Sequence, residues 1–221
     1  MKSQTKSKER VRDHGEVFTG EREVKAMCDL VKDECDRIDS RFLEPACGDG
    51  NFLAEIFSRK LNIVKKKYGK SPHDFEKNSI LAASSIYGVD ILADNVNACR
   101  ERMFNIWDKK YREVCKKECN DEAREAVKFI LSRNIVCGNA LTLKCVDENG
   151  VETSEPIVFS EWAFITGDLM QRCDYTFADL LAGEVVRDRA QISLFDQDEG
   201  GTFLKRYISD YRRVQQNGEA V

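Results

Sequence analysis

The stretch Phe42-Leu43-Glu44-Pro45-Ala46-Cys47-Gly48-Asp49-Gly50-Asn51-Phe52-Leu53 decides how this chain is read. A short apolar run leads to an acid, then to a turn with two glycines. Beyond it Phe52, Leu53, Ile56, Phe57, Leu61 and Val64 recur at the three-to-four spacing of a helix. The order is strand, acid, glycine turn, helix. Gly48 and Gly50 lack side chains, so the turn can take positive φ and a ligand can approach the backbone closely. The helix start offers free N–H groups and a partial positive charge, which suit an anionic group such as a carboxylate. Glycine is common in strand-to-helix turns, and a bare Gly-x-Gly is weak evidence. The length of this pattern is what points to a ligand site.

Working outward, the helix after the turn closes at Lys65-Lys66-Lys67-Tyr68-Gly69, where cations suit a helix C-terminus, and Ser71-Pro72 breaks the chain. Residues 74–85 predict a short helix and Ile86 to Asp90 a strand. Residues 94–115 predict a long amphipathic helix and 121–131 another. Asn134 to Cys137 predicts a strand ending at Gly138. Upstream, Val24, Met27, Cys28, Val31 and Cys35 predict a helix over 21–35, with Thr19 or Gly20 as its cap. Residues 1–13 read as a flexible basic arm. Residues 156–166 read as strand or hairpin, and the charged tail from Asp188 is only weakly periodic. The expected organisation is the arm, a ligand-binding domain over 14–150, and a hairpin-like excursion with a charged tail over 151–221. Strands alternating with helices argue for an α/β fold with a parallel sheet.

Three further segments bear on the site. Asp90 ends the next strand, where a nucleoside-binding sheet holds ribose hydroxyls. Alone it reads as a cap for the following helix; beside the glycine turn the ribose role is the better one. The spacing from Gly50 to Asp90 exceeds the roughly 20 residues of a minimal unit, and the helix over 74–85 accounts for the excess. In Val136-Cys137-Gly138-Asn139-Ala140-Leu141, the Asn139 amide suits an adenine edge, although Gly-Asn is also an ordinary turn. In Val17-Phe18-Thr19-Gly20, an aromatic and a hydroxyl either flank a ligand or form a helix staple.

Composition bounds the rest. The 221 residues are 42% apolar and 33% charged, with net charge −4 and a pI near 5.5. A uniformly basic nucleic-acid coat is excluded. No apolar run reaches the roughly 20 residues of a membrane span, and the N-terminus lacks an apolar signal core. Nine cysteines, an odd number, point to a reduced, cytoplasmic setting. Cys115 and Cys119 have no second pair at ligand spacing, so the cysteines read as small hydrophobes rather than zinc ligands.

The segment Glu44-Pro45-Ala46-Cys47-Gly48-Asp49-Gly50-Asn51-Phe52-Leu53 resembles the S-adenosylmethionine motif of amino-group DNA methyltransferases of restriction-modification systems, Asp/Glu-Pro-Ala-Cys-Gly-Ser/Asp-Gly-x-Phe-Leu. Gly15-Glu16-Val17-Phe18-Thr19 is similar to the family's Phe-Tyr/Phe-Thr-Pro motif, with Gly20 in place of proline. Gly138-Asn139-Ala140-Leu141 resembles its Gly-Asp-x-Leu segment, with Asn139 for the acid. The likeness covers roughly residues 11–145, and its motif order is that of the N6-adenine subgroup. It implies a class I methyltransferase (Rossmann-like) fold and S-adenosylmethionine as cofactor. The cofactor would be held by Phe18, Thr19, Glu44, Pro45, Ala46, Cys47, Gly48, Asp49, Gly50, Phe52, Asp90, Ile91, Asn139, Ala140 and Leu141. It also implies DNA as the partner of the assembled enzyme.

The family's catalytic Asn/Asp-Pro-Pro-Tyr/Phe loop is missing, because Pro45, Pro72 and Pro156 are the only prolines and none adjoins another. Catalytic residues therefore stay unassigned. The expectation is a cofactor-binding part completed by a partner subunit that carries the loop, or a self-associating chain. The alternative is a non-catalytic scaffold, and a methyltransferase for a small molecule or protein is weaker still. Trp162, Phe164, Tyr175 and Phe177 read as a satellite core ahead of a base-stacking platform. Arg59, Lys60, Lys65, Lys66, Lys67 and Lys70, with Lys205, Arg206, Arg212 and Arg213, read first as solvated faces and second as phosphate contacts. Cys47, inside the turn, is expected to be alkylated in competition with cofactor, and Cys28, Cys99 and Cys115 to be unreactive.

Overall fold

Three parallel strands carry the architecture: β1 (Phe42–Glu44), β2 (Ile86–Asp90) and β3 (Ile135–Asn139). Register pairs Leu43 with Tyr87, and Val89 with Val136. The computed structural model describes residues 19–182 and 204–217; the basic arm, Phe18 and most of the charged tail lie outside the described residues. Two short strands, β4 (Lys144–Val146) and β5 (Glu152–Pro156), extend the sheet antiparallel beyond β3. The result is a mixed five-stranded sheet in the order β1-β2-β3-β4-β5 rather than the all-parallel sheet expected. It is an α/β arrangement compatible with a Rossmann-like fold.

Helices α1 (Glu21–Leu30) and α2 (Lys32–Cys35) precede β1, so the helix expected over 21–35 is interrupted at Val31. Gly20 caps α1 without any side-chain bond. Between β1 and β2 run α3 (Asn51–Tyr68) and α4 (Pro72–Ser84), and between β2 and β3 run α5 (Ala93–Cys115) and α6 (Asp121–Asn134). Alternation along the strands builds two cores. Ile86 and Ile135 face the helices, in one cluster with Phe57, Leu61, Phe75, Trp107 and Ile130. Tyr87 and Val89 face the other way, beneath Ile157, Phe159 and Phe177.

After β5 the chain forms a hairpin of β6 (Val158–Thr166) and β7 (Leu169–Thr176), followed by the short α7 (Phe177–Ala182). The tail then returns. β8 (Lys205–Asp210) pairs with β7, and a 3-10 segment, Tyr211–Asn217, docks on the domain. Tyr211 is fully buried, and its hydroxyl donates to Glu76 at 2.6 Å. Glu76 on α4 also accepts from the Tyr111 hydroxyl and from Arg212 Nε. Trp162 does not form a satellite core: it joins the main one and donates to Asn134 Oδ1 at 3.1 Å. Tyr175 and Phe177 are buried as well, which removes three of the four aromatics from any stacking platform.

Lys60 organises the approach to β1. It is fully buried, and its ammonium donates to the carbonyls of Arg37, Ile38 and Ser40 at 2.9, 3.1 and 2.5 Å. Desolvation pulls its pKa down to about 8. This lysine of the expected basic cluster is an internal brace.

Candidate functional site

The glycine turn sits at the carboxyl end of β1, where ligands bind in open α/β sheets. Cys47 N–H donates to Val89 O at 2.8 Å, and Gly50 N–H to Cys47 O at 2.8 Å, which folds the turn over the end of β2. Gly48 and Gly50 take φ of +52° and +85°, a region that favours glycine. A Cβ on Gly50 would lie 2.6 Å from Cys99 Sγ, so the turn is also seated directly on α5. α3 then begins at Asn51 with no side-chain cap, leaving first-turn N–H groups available.

Asp90 holds the turn shut. Its Oδ2 accepts from Gly48 N–H at 2.9 Å, across 42 residues of sequence. Its Oδ1 accepts from Leu92 N–H at 2.9 Å and from Asn95 Nδ2 at 3.3 Å. The bonds from Leu92 and Asn95 tie Asp90 to the start of α5, although the N-cap position of that helix is Leu92 rather than Asp90. Asn95 is a site component that sequence reading missed; its position in the first turn of α5, five residues past the acid, was the available signal.

The other expected residues divide. Glu44 is half-buried, and burial raises its carboxyl pKa against the lowering effect of the Ala46 N–H. Pro45 and Ala46 are exposed. Asp49 and Asn51 accept from Arg102 Nη1 at 3.4 and 2.7 Å, a contact from α5 without a sequence signal. Phe52 packs against the main core. Cys47 points inward: it is buried, and a hydrogen bond with Cys99 and then desolvation push its thiol pKa far up. That geometry argues against the expected alkylation of Cys47 in competition with cofactor. Burial likewise raises Cys28 to about 11 and Cys115 to about 12.

At the end of β3, Asn139 spends its amide locally. Its Oδ1 accepts from Leu141 N–H at 3.0 Å and its Nδ2 donates to Glu152 Oε2 at 3.2 Å. Ala140 packs in the second core, while Leu141 is 93% exposed and Ile91 is also exposed. Segments 44–50, 90–91 and 139–141 thus lie side by side along the ends of three adjacent strands. Thr19 is exposed just before α1, which an Arg59–Asp29 ion pair of 2.7 Å ties to α3.

The charge around this edge is acidic. Glu44, Asp49, Asp90 and Glu152 stand there, with Arg102 paired to Asp49 and Lys144 to Glu152. The exposed Lys65, Lys66, Lys67 and Lys70 lie at the opposite end of α3, roughly 27 Å along an 18-residue helix. Arg212 serves Glu76, and Arg213 pairs with Glu122 at 3.4 Å. Among the described residues no group of three or more side chains is arranged to hold a metal ion, and no helix is long and apolar enough to cross a membrane. Comparison with protein-family models, curated proteins and solved structures finds no match to this chain.

Proposed function

We propose that this chain is the S-adenosylmethionine-binding part of an N6-adenine DNA methyltransferase of restriction-modification type, built on a class I methyltransferase sheet. The observation that carries the reading is the meeting of the β1 glycine turn and Asp90 at the ends of two adjacent parallel strands. There a positive-φ glycine turn, an uncapped helix start and the acid of the next strand stand together. The residues present suit this cofactor. The free N–H groups of α3 match its carboxylate, and the surrounding carboxylates match its ammonium and sulfonium charges. In this reading Asp90 is the acid for the ribose hydroxyls, and the exposed Ile91 and Leu141 are the apolar side chains for the adenine. When bound, S-adenosylmethionine supplies an electrophilic methyl group. The chain's own residues orient it; none of them is assigned to the target base.

Transfer to an adenine needs a flipped base whose amine is held by acceptors and whose ring is stacked. No Asn-Pro-Pro-aromatic stands in these 221 residues, and the aromatics nearest that role are buried. In this reading a partner polypeptide supplies that half, together with most DNA contacts, since the strand ends around the glycine turn are acidic.

One observation favours a second reading, a non-catalytic scaffold: both Asp90 oxygens already serve the chain's own donors. Calorimetry with S-adenosylmethionine separates the two. Measurable heat that Asp90→Ala abolishes supports the cofactor reading, and none at millimolar ligand refutes it. In a tritiated methyl-transfer assay on mixed-sequence duplex DNA the isolated chain is expected to be inactive. Robust transfer would refute the division of labour.

A further inference from the structure

The ends of α3 and α5 stand together at the pole of the domain opposite the glycine turn. The two helices pack on each other. Lys65, near the end of α3, pairs with Glu113, near the end of α5, and Glu113 also holds Lys110 at 3.2 Å. Around these pairs Lys66, Lys70, Lys109, Lys116 and Lys117 are exposed, and among the described residues none of them has an acid for a partner. The nearby acids are Glu118, and Asp36 and Asp39, which line a cavity with Lys67. Cations do stabilise a helix C-terminus, but that does not explain Lys116. It ends α5 with φ of +51°, in the region that favours glycine. A lysine stands where the backbone prefers a glycine, and such strain points to a role outside the helix itself.

We propose that this lysine-rich pole binds the phosphate backbone of a nucleic-acid duplex without reading its sequence. The axes of packed helices lie about 8–10 Å apart, and α5 runs about 9 Å from Lys109 to its end at Cys115. The ammonium groups are therefore spread over about the 6–12 Å width of a DNA groove and reach phosphates on both of its sides. A lysine is a point charge on a flexible stem, which suits phosphates and carries no base readout. No large apolar or aromatic side chain is exposed over 62–70 or 105–118. The surface has nothing to insert into a lipid layer and no platform for unpaired bases. It lies roughly 27 Å along α3 from the glycine turn, so it meets the duplex away from the crevice. That the duplex is DNA rests on the function proposed above; the surface itself stands on charge and geometry.

The test is fluorescence anisotropy of the full chain with a labelled, mixed-sequence DNA duplex between about 50 and 200 mM salt. The wild-type chain is expected to bind, with affinity falling steeply as salt rises. The triple variant Lys70→Glu, Lys116→Glu, Lys117→Glu should bind about tenfold or more weakly. A control with the same change in net charge, Lys25→Glu, Lys32→Glu, Lys128→Glu on α1, α2 and α6, should stay within about twofold of the wild type. Lys116→Gly separates the two roles of that residue: its urea midpoint should rise while its DNA affinity falls. No binding at the lowest salt, binding indifferent to salt, equal losses in the two triple variants, or wild-type affinity in Lys116→Gly overturns the proposal. Binding to phosphatidylglycerol vesicles in place of the duplex overturns it as well. Cofactor calorimetry on the same proteins keeps the two readings apart: DNA binding without cofactor heat refutes the function and leaves the surface, and cofactor heat without DNA binding does the reverse.

Discussion

Gly48 N–H and Asp90 Oδ2 lie 2.9 Å apart, and this bond joins the first strand's turn to the end of the second. Asp90→Ala removes it together with the bonds from Leu92 and Asn95. Each is worth about 0.5–1.5 kcal/mol, more with a charged acceptor, so the variant should lose about 2–4 kcal/mol in urea unfolding. It should also lose any cofactor-induced thermal shift. A variant with wild-type stability would show that the clamp is not formed in solution.

Gly50→Ala should be costly for two separable reasons. A left-handed φ costs an alanine roughly 1–2 kcal/mol, and the added Cβ would press on Cys99 Sγ. In a double-mutant cycle, Cys99→Ala should recover about 1 kcal/mol or more of the Gly50→Ala loss. Strict additivity would mean that the turn does not rest on α5.

Thiol labelling should follow burial. Cys119, Cys137 and Cys145 are partly exposed and should react first under native conditions, while Cys47 and Cys99 stay protected with or without cofactor. Rapid labelling of Cys47 that S-adenosylmethionine suppresses would restore the competition expected from sequence.

Lys60 should make stability depend on alkaline pH. Its pKa falls from 10.5 in the unfolded chain to about 8 in the folded one. Between those values the unfolded chain binds the extra proton, so this residue's contribution rises with pH, by up to about 3 kcal/mol. The cost of Lys60→Met, read by urea unfolding, should therefore be larger at pH 10 than at pH 7.5. An equal cost at both would show that the three carbonyls hold the ammonium at its ordinary pKa.

Much of the first half was legible because its signals are local. The glycine turn, the Ile86–Asp90 strand and the periodic helices each declare themselves within a few residues. β4 and β5 escaped because Lys144–Val146 is three residues long and Glu-Thr-Ser-Glu-Pro has no apolar alternation. β8 escaped because Lys-Arg-Tyr-Ile-Ser-Asp reads as charged tail until β7 is there to pair with it. The site was legible as a set of segments but not as a set of orientations. Nothing in Ala46-Cys47-Gly48 shows that the thiol turns toward α5, and nothing near Asp49 announces Arg102.

The bond from Tyr211 to Glu76 spans 135 residues, and it bears on how the protein is made. During vectorial synthesis the glycine turn, α3 to α6 and the parallel strands all leave the ribosome before Tyr211 does. Until then the Glu76 carboxylate lacks two of its donors and the main core lacks a large side chain. On this geometry the main core is complete only once Tyr211 has docked, and a chain held short of that point keeps part of the core open to misassociation.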